Sequence, residues 1–198
     1  MLTVAGCSQS MTVQTGFPTP VLEPLPLVVG IRYPKALTEF VHQEAPPLES
    51  EWTIRLGAAN ELLFGKLFGA MFVETVMLDP EADVTAYPEL DAVIEPTLEE
   101  FEFSLPRQSQ TDQYAVWLRY NIRVYTPDGE LISNWPVTAY GQVGAKMMAP
   151  EKSMQQATVL AMRDAAANIA VGFINAPGIK DKLLPQTSDD KDDKDEQT

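Results

Sequence analysis

From Tyr114 to Tyr125 the chain alternates between two kinds of position. Tyr114, Val116, Leu118, Tyr120, Ile122 and Val124 fall on one side of an extended chain, and Ala115, Trp117, Arg119, Asn121, Arg123 and Tyr125 fall on the other. Successive side chains of a strand point to opposite faces, so this stretch predicts a half-buried strand with an apolar inner face and an amphipathic outer one. Thr126-Pro127-Asp128-Gly129 follows, where Pro127 presets a turn and Gly129 can take a positive φ. Leu131 to Tyr140 then returns as the partner strand of a hairpin. Pro136 has no N–H for a ladder, which predicts an edge or a bulge on that strand.

The same patterning predicts the remaining elements. Leu25 to Tyr33 is a strand around the apolar run Leu27-Val28-Val29-Gly30-Ile31, stopped by Pro34. Ala36 to Glu51 reads as a loop with a short helical turn near Leu37 to Val41, and Trp52 to Leu56 as a second strand. From Ala58 to Leu78 the period changes: Leu62, Leu63, Leu67, Ala70, Met71 and Val76 recur at helical spacing, with Asn60, Glu61, Lys66 and Glu74 as the wet face. Gly65 and Gly69 in that helix cost roughly 2 kcal/mol of propensity together, which predicts close packing against the sheet as compensation. Leu90 to Leu105 is a third strand region. Its apolar parity changes between Leu98 and Phe101, so a bulge is expected near Glu99-Glu100. Ser153-Met154-Gln155-Gln156 has the form of a capping box, and Met154, Ala157, Ala161, Ala165, Ile169 and Phe173 continue as a helical stripe until Pro177-Gly178. The expected fold is α+β: a single layer of about five strands, mostly antiparallel, with the helices beginning near Ala58 and Ser153 on one face.

Charge narrows the functional classes. The chain of 198 residues carries a formal charge of −14, which argues against nucleic acid as a partner. From Glu39 to Glu102 there are 15 acids against two bases, Arg55 and Lys66, whereas Ser104 to Pro150 is nearly neutral. The catalytic motifs of hydrolases, zincins, phosphate-binding loops and dithiol enzymes are missing from the sequence. The one histidine, His42, reads as a surface residue in a loop, and one histidine cannot assemble a histidine-based metal site. Glu95, Glu99, Glu100 and Glu102 are candidates by type for carboxylate acid–base work, but they fall where a strand presents glutamates to solvent. A non-enzyme without cofactor or metal is therefore expected, with a carboxylate-based hydrolase as the last alternative.

The one cysteine supplies an address. Val4-Ala5-Gly6-Cys7 resembles the lipobox of bacterial lipoproteins, and the polar run Ser8-Gln9-Ser10 follows it. A complete export signal also has a basic and an apolar region upstream; six residues precede Cys7 here. The resemblance implies a lipidated Cys7 that anchors the chain to a membrane without spanning it. Ser8 in place of Asp resembles lipoproteins exported to the outer membrane, which implies the periplasmic side of that membrane. The organisation expected is a residual signal segment at 1–6, a lipidated cysteine and Pro-rich tether at 7–24, an α+β domain at 25–178 and an acidic disordered tail at 179–198. The order of elements resembles small outer-membrane lipoproteins of Gram-negative bacteria. In layout it is similar to the LPS-assembly lipoprotein family and, in part, to auxiliary lipoproteins of lipid-transporting ABC systems. That likeness implies a scaffold or assembly component of a cell-envelope complex, or alternatively a lipid- or glycolipid-transport accessory with a groove between helix and sheet. The acidic stretch from Glu39 to Glu102 departs from what a binder of anionic LPS should show, since like charges repel.

The candidate surface for an envelope protein partner is the outer face of the hairpin, with Trp117, Arg119, Arg123 and Tyr125, and Trp135 nearby on the return strand. Aromatics interleaved with arginine on a solvent face match the composition of interface hot spots. The alternative is a second covering layer that makes Trp117 a core residue.

Overall fold

The computed structural model describes residues 8–14, 16–109, 111–145 and 149–184. The lipobox-like stretch Val4 to Cys7 and residues 185–198 lie outside the described residues, whereas Ile179–Leu183, expected as the start of a disordered tail, is a short helix held by the buried Ile179. Among those described, the strands are β1 (Ser8–Thr12), β2 (Leu25–Arg32), β3 (Val41–Glu44), β4 (Glu51–Arg55), β5 (Phe72–Leu78), β6 (Ala92–Ser104), β7 (Gln113–Tyr125) and β8 (Leu131–Gly144). The helices are α1 (Lys35–Thr38), α2 (Gly57–Met71), α3 (Pro106–Ser109), α4 (Pro150–Gly172) and α5 (Ile179–Leu183).

The class is α+β, but the strands form two mixed sheets where one mostly antiparallel layer was expected. The larger sheet has the order β5-β2-β6-β7-β8, and the smaller has β1-β4-β3. In the larger sheet β2 is parallel to both β5 and β6, while β6, β7 and β8 are antiparallel. Alternation identifies a strand but not its neighbour; the crossover through α2 is what returns β5 parallel to β2.

Three segments depart from the sequence reading. The helix starting after Leu56 stops at Met71, and Phe72–Leu78 is a strand. Val73, Thr75 and Val76 are β-branched, and they gain a ladder against Val28–Arg32 that a longer helix would forgo. The start of the segment expected as an extended, Pro-rich tether is strand β1, held parallel to β4 from Ser8↔Glu51 to Thr12↔Arg55. Met11, Val13 and Phe17 are buried in the core, and Lys66 Nζ donates to the Phe17 carbonyl at 2.5 Å. Residues expected as a loop include β3, which carries His42.

The hairpin and the stripe of α4 agree with the pattern. Gly129 has φ 83, and Gly129 N donates to Thr126 O at 2.9 Å. The β6–β7 register shifts between Leu98 and Glu100, which places the bulge at Glu99. β8 is an edge strand, as Pro136 requires. Met154, Ala157, Ala161, Ala165 and Ile169 are fully buried. The capping box does not form: Pro150 begins α4, which puts Ser153 inside the helix with its hydroxyl buried and unpartnered.

α2, α4 and the small sheet all lie on one face of the large sheet. Phe64 of α2 meets Tyr120 edge-on at 5.2 Å, and His42 and Trp52 of the small sheet pack on Phe103 at 5.7 and 6.0 Å. Gly141 of β8 sits so close beneath α4 that a Cβ would collide with the backbone of Ala157 and Ala161. α4 and the turn after it, Pro150–Asn175, have a span of mean hydropathy 1.3, enough by length and composition to cross a membrane. Here that helix covers the sheet with its apolar stripe.

Candidate docking face

The other face of the large sheet is covered only at one end. There the connection from Asp79 to Leu90 folds over β2 and β6, so that Leu78, Val84, Leu90 and Val93 make a second small core. Tyr125 packs against this cluster and takes the Arg32 guanidinium 5.5 Å above its ring. Beyond it the outer face of β6, β7 and β8 is open to solvent, with Ala115 and Asn121 buried beneath their neighbours.

Cross-strand register decides what this face presents. Glu95 opposes Arg123, Glu100 opposes Arg119, and Glu102 opposes Trp117. Arg32 Nε donates to Glu95 Oε2 at 2.8 Å, and Arg123 Nη1 donates to Glu95 Oε1 at 3.3 Å. Arg119 Nη2 donates to Glu100 Oε1, and its Nε lies 3.3 Å from Glu99 Oε2. Asn121 Nδ2 donates to Glu99 Oε1 at 3.0 Å and to Asn134 Oδ1 at 2.6 Å. The acids of β6 thus meet the bases of β7, and the face is a neutralised network rather than a free cationic strip.

Trp117 is the exposed apolar member. It keeps 42% of its surface open and stands against Tyr140 of β8, ring centroids 5.1 Å apart. With Glu100, Glu102, Arg119 and Thr138 it lines a concavity of about 310 Å³. Trp135 does not belong here. It pairs with Ile122 on the helix side, where its ring fills the space a Cβ on Gly172 would need. Tyr140 was missed by the sequence reading, although it shares the parity that the register with Trp117 gives it.

The other candidates by type have local partners. His42 Nε2 is 3.0 Å from Glu44 Oε2, and its ring lies 4.9 Å from Phe101. Among the described residues no group of three or more His, Cys, Asp and Glu could hold a metal ion. A groove of about 560 Å³ runs between α4 and the end of β8, with Val143, Val159 and Leu160 as its apolar lining and Lys152 and Arg163 as its cations.

No protein-family profile matches this chain, and no curated protein matches it. Among solved structures it is similar to a Xanthomonas campestris protein of a family of unknown function, at 8% identity and TM-score 0.48, over 82% of this chain and 90% of that one. It is similar to rare lipoprotein B of Shewanella oneidensis at 10% identity and TM-score 0.40, over 75% and 93% of the two chains. A minor lipoprotein of Acinetobacter baumannii gives 12% identity and TM-score 0.41, over 78% and 97%. At these values no residue role passes from those proteins to this one.

Proposed function

We propose that this protein is a lipid-anchored lipoprotein of the bacterial cell envelope, on the periplasmic side of the outer membrane. It acts without catalysis, as a scaffold or accessory that docks an envelope protein partner on the open face of its large sheet. The observation that carries the reading is Val4-Ala5-Gly6-Cys7 directly ahead of β1. The docking part rests on Trp117 and Tyr140, a half-exposed aromatic pair beside a concavity on a face where Glu95, Glu99 and Glu100 are paired with arginines. In the native host, Cys7→Ser in a gene with its export signal intact releases the protein from the membrane fraction. A serine variant that still partitions with the outer membrane as wild type does sinks the anchoring. Capture from detergent-solubilised envelopes then names the partner.

A second reading is supported by the groove between α4 and β8. An apolar lining with Lys152 and Arg163 at its sides suits an anionic amphiphile, as a lipid-transport accessory would need. Organic extraction of protein purified from membranes separates the two: bound lipid that leaves on Arg163→Glu favours transport over scaffolding.

A further inference from the structure

The turn joining β3 to β4 puts an apolar side chain where the backbone disfavours one. Glu49 N donates to Pro46 O at 3.2 Å, closing a four-residue turn over Pro46-Pro47-Leu48-Glu49. Proline stands second and Leu48 third, with φ 63. A positive φ at the third position is the type II arrangement, which Gly or Asn serves and which crowds a leucine Cβ. Leu48 is also 100% exposed. Neither packing nor turn geometry accounts for leucine at this apex.

Its place in the fold supplies a reason. β1 and β4 are parallel and Ser8 pairs with Glu51, so both strands start at the same end of the small sheet. The turn immediately precedes β4 and lies at that end. At most about 10 Å of chain separates Leu48 from Glu51, and the Cα of residue 7 is one peptide, about 3.8 Å, from that of Ser8. A lipid on Cys7 therefore holds this end of the domain at the bilayer surface, because no free tether intervenes. Glu44, Glu49 and Glu51 outnumber Arg107, whose Nε lies 3.9 Å from Glu49 Oε1, so the charge around the turn does not favour anionic lipid. Insertion of the leucine into a zwitterionic interface is what the chemistry favours.

We propose that Leu48 is a second membrane contact, with the Pro46–Glu49 turn resting on the bilayer beside the lipidated Cys7. This rests on the lipoprotein reading above. Two points of attachment fix the tilt of the domain, which an acyl anchor alone leaves free.

The test uses the lipidated full chain. Lipidation consumes the thiol of Cys7, the chain's one cysteine, so Leu48→Cys creates one reactive site for an environment-sensitive fluorophore. Val171→Cys is the control. Pro150 borders the same concavity as Gln9 and Glu49, and exposed Val171 lies about 30 Å farther along α4. On phosphatidylcholine vesicles the label at position 48 should emit to the blue and be quenched by nitroxide-labelled phosphatidylcholine. The label at position 171 should be quenched by aqueous iodide. A wet label at 48 on lipidated, vesicle-bound protein overturns the second contact and leaves the anchor standing, as does equal lipid quenching at both sites. A chain that carries no lipid on Cys7 by mass spectrometry and does not float with vesicles overturns both readings.

Discussion

Leucine in the left-handed region at position 48 costs the fold about 1 kcal/mol or somewhat more, since its Cβ crowds the next carbonyl. Leu48→Gly removes that cost without losing a buried contact. Glycine's greater freedom in the unfolded chain offsets part of that gain, so the unfolding free energy should rise by a few tenths of a kcal/mol up to about 1, measured by urea denaturation, while a membrane role would keep leucine there against stability. Tyr120 shows the opposite case, a polar group satisfied inside the core. Its hydroxyl donates to Asn60 Oδ1 at 2.8 Å, and Asn60 Nδ2 donates to Leu37 O at 3.1 Å, all buried. Tyr120→Phe strands the amide oxygen and should cost about 1–3 kcal/mol. Burial holds the Tyr120 phenol well above its ordinary value, and burial with Glu61 nearby does the same for Tyr33. The folded state therefore disfavours ionisation. Stability should hold below the ordinary tyrosine value of 10.0 and fall above it, as the unfolded chain loses protons that the folded chain keeps. Urea midpoints between pH 8 and pH 11 follow this loss, and Tyr120→Phe should shallow it.

At the scale of elements, three glycines separate propensity from packing. Gly65 and Gly69 were expected to lie tight against the sheet, but a Cβ at Gly69 meets nothing within 4 Å, and at Gly65 only the Tyr33 hydroxyl at 4.0 Å. Gly69→Ala should therefore stabilise α2 by about 0.5–1 kcal/mol. Gly141→Ala should destabilise by about 1–3 kcal/mol, because it drives a methyl into the α4 backbone. Thermal melts of the two variants should move in opposite directions. α4 also closes the exposed edge of the sheet. Tyr140 N donates to Asp164 Oδ2 at 3.0 Å, Asn168 Nδ2 donates to Thr138 O at 3.2 Å, and Pro136 has no N–H to offer. An edge so occupied resists pairing with another strand.

Over the whole molecule, the last acids of the acidic stretch, on β6, face the bases of the hairpin across one ladder. Glu95 holds both Arg32 and Arg123, and Arg119 holds Glu99 and Glu100. The half-exposed Arg119 pairs add little stability, the Glu95 pairs are partly buried, and Trp117 is left as the feature open to a partner. Trp117→Ala removes an exposed aromatic pairing, not a core side chain. It should cost about 1 kcal/mol in place of the 3–5 expected for a buried tryptophan. Differential scanning fluorimetry reads that loss, and capture of the proposed envelope partner should weaken in parallel. Strong destabilisation with undiminished capture removes the docking face.

The sequence by itself determined what depends on local chemistry and on which side of a strand or helix meets the core. Alternation from Tyr114 to Tyr125 fixed the inner face of β7, the parity change located the bulge at Glu99, and Gly129 and Pro136 marked the turn and the edge. The stripe from Met154 to Ile169 gave the buried side of α4. Only the tertiary structure decided what depends on partners distant in sequence. Phe72–Leu78 is a strand because β2 is there to pair with it, and the same residues carried enough helical spacing to read as the end of α2. Ser8–Thr12 is polar and joins a sheet because β4 offers it a ladder, which no periodicity in five residues could reveal. Trp135 and Trp117 were placed together by nearness in the hairpin, yet register sends them to opposite faces: one under α4, the other into solvent. Leu48 needed both scales, since its exposure and its left-handed backbone matter only beside the strand that leads back to Cys7.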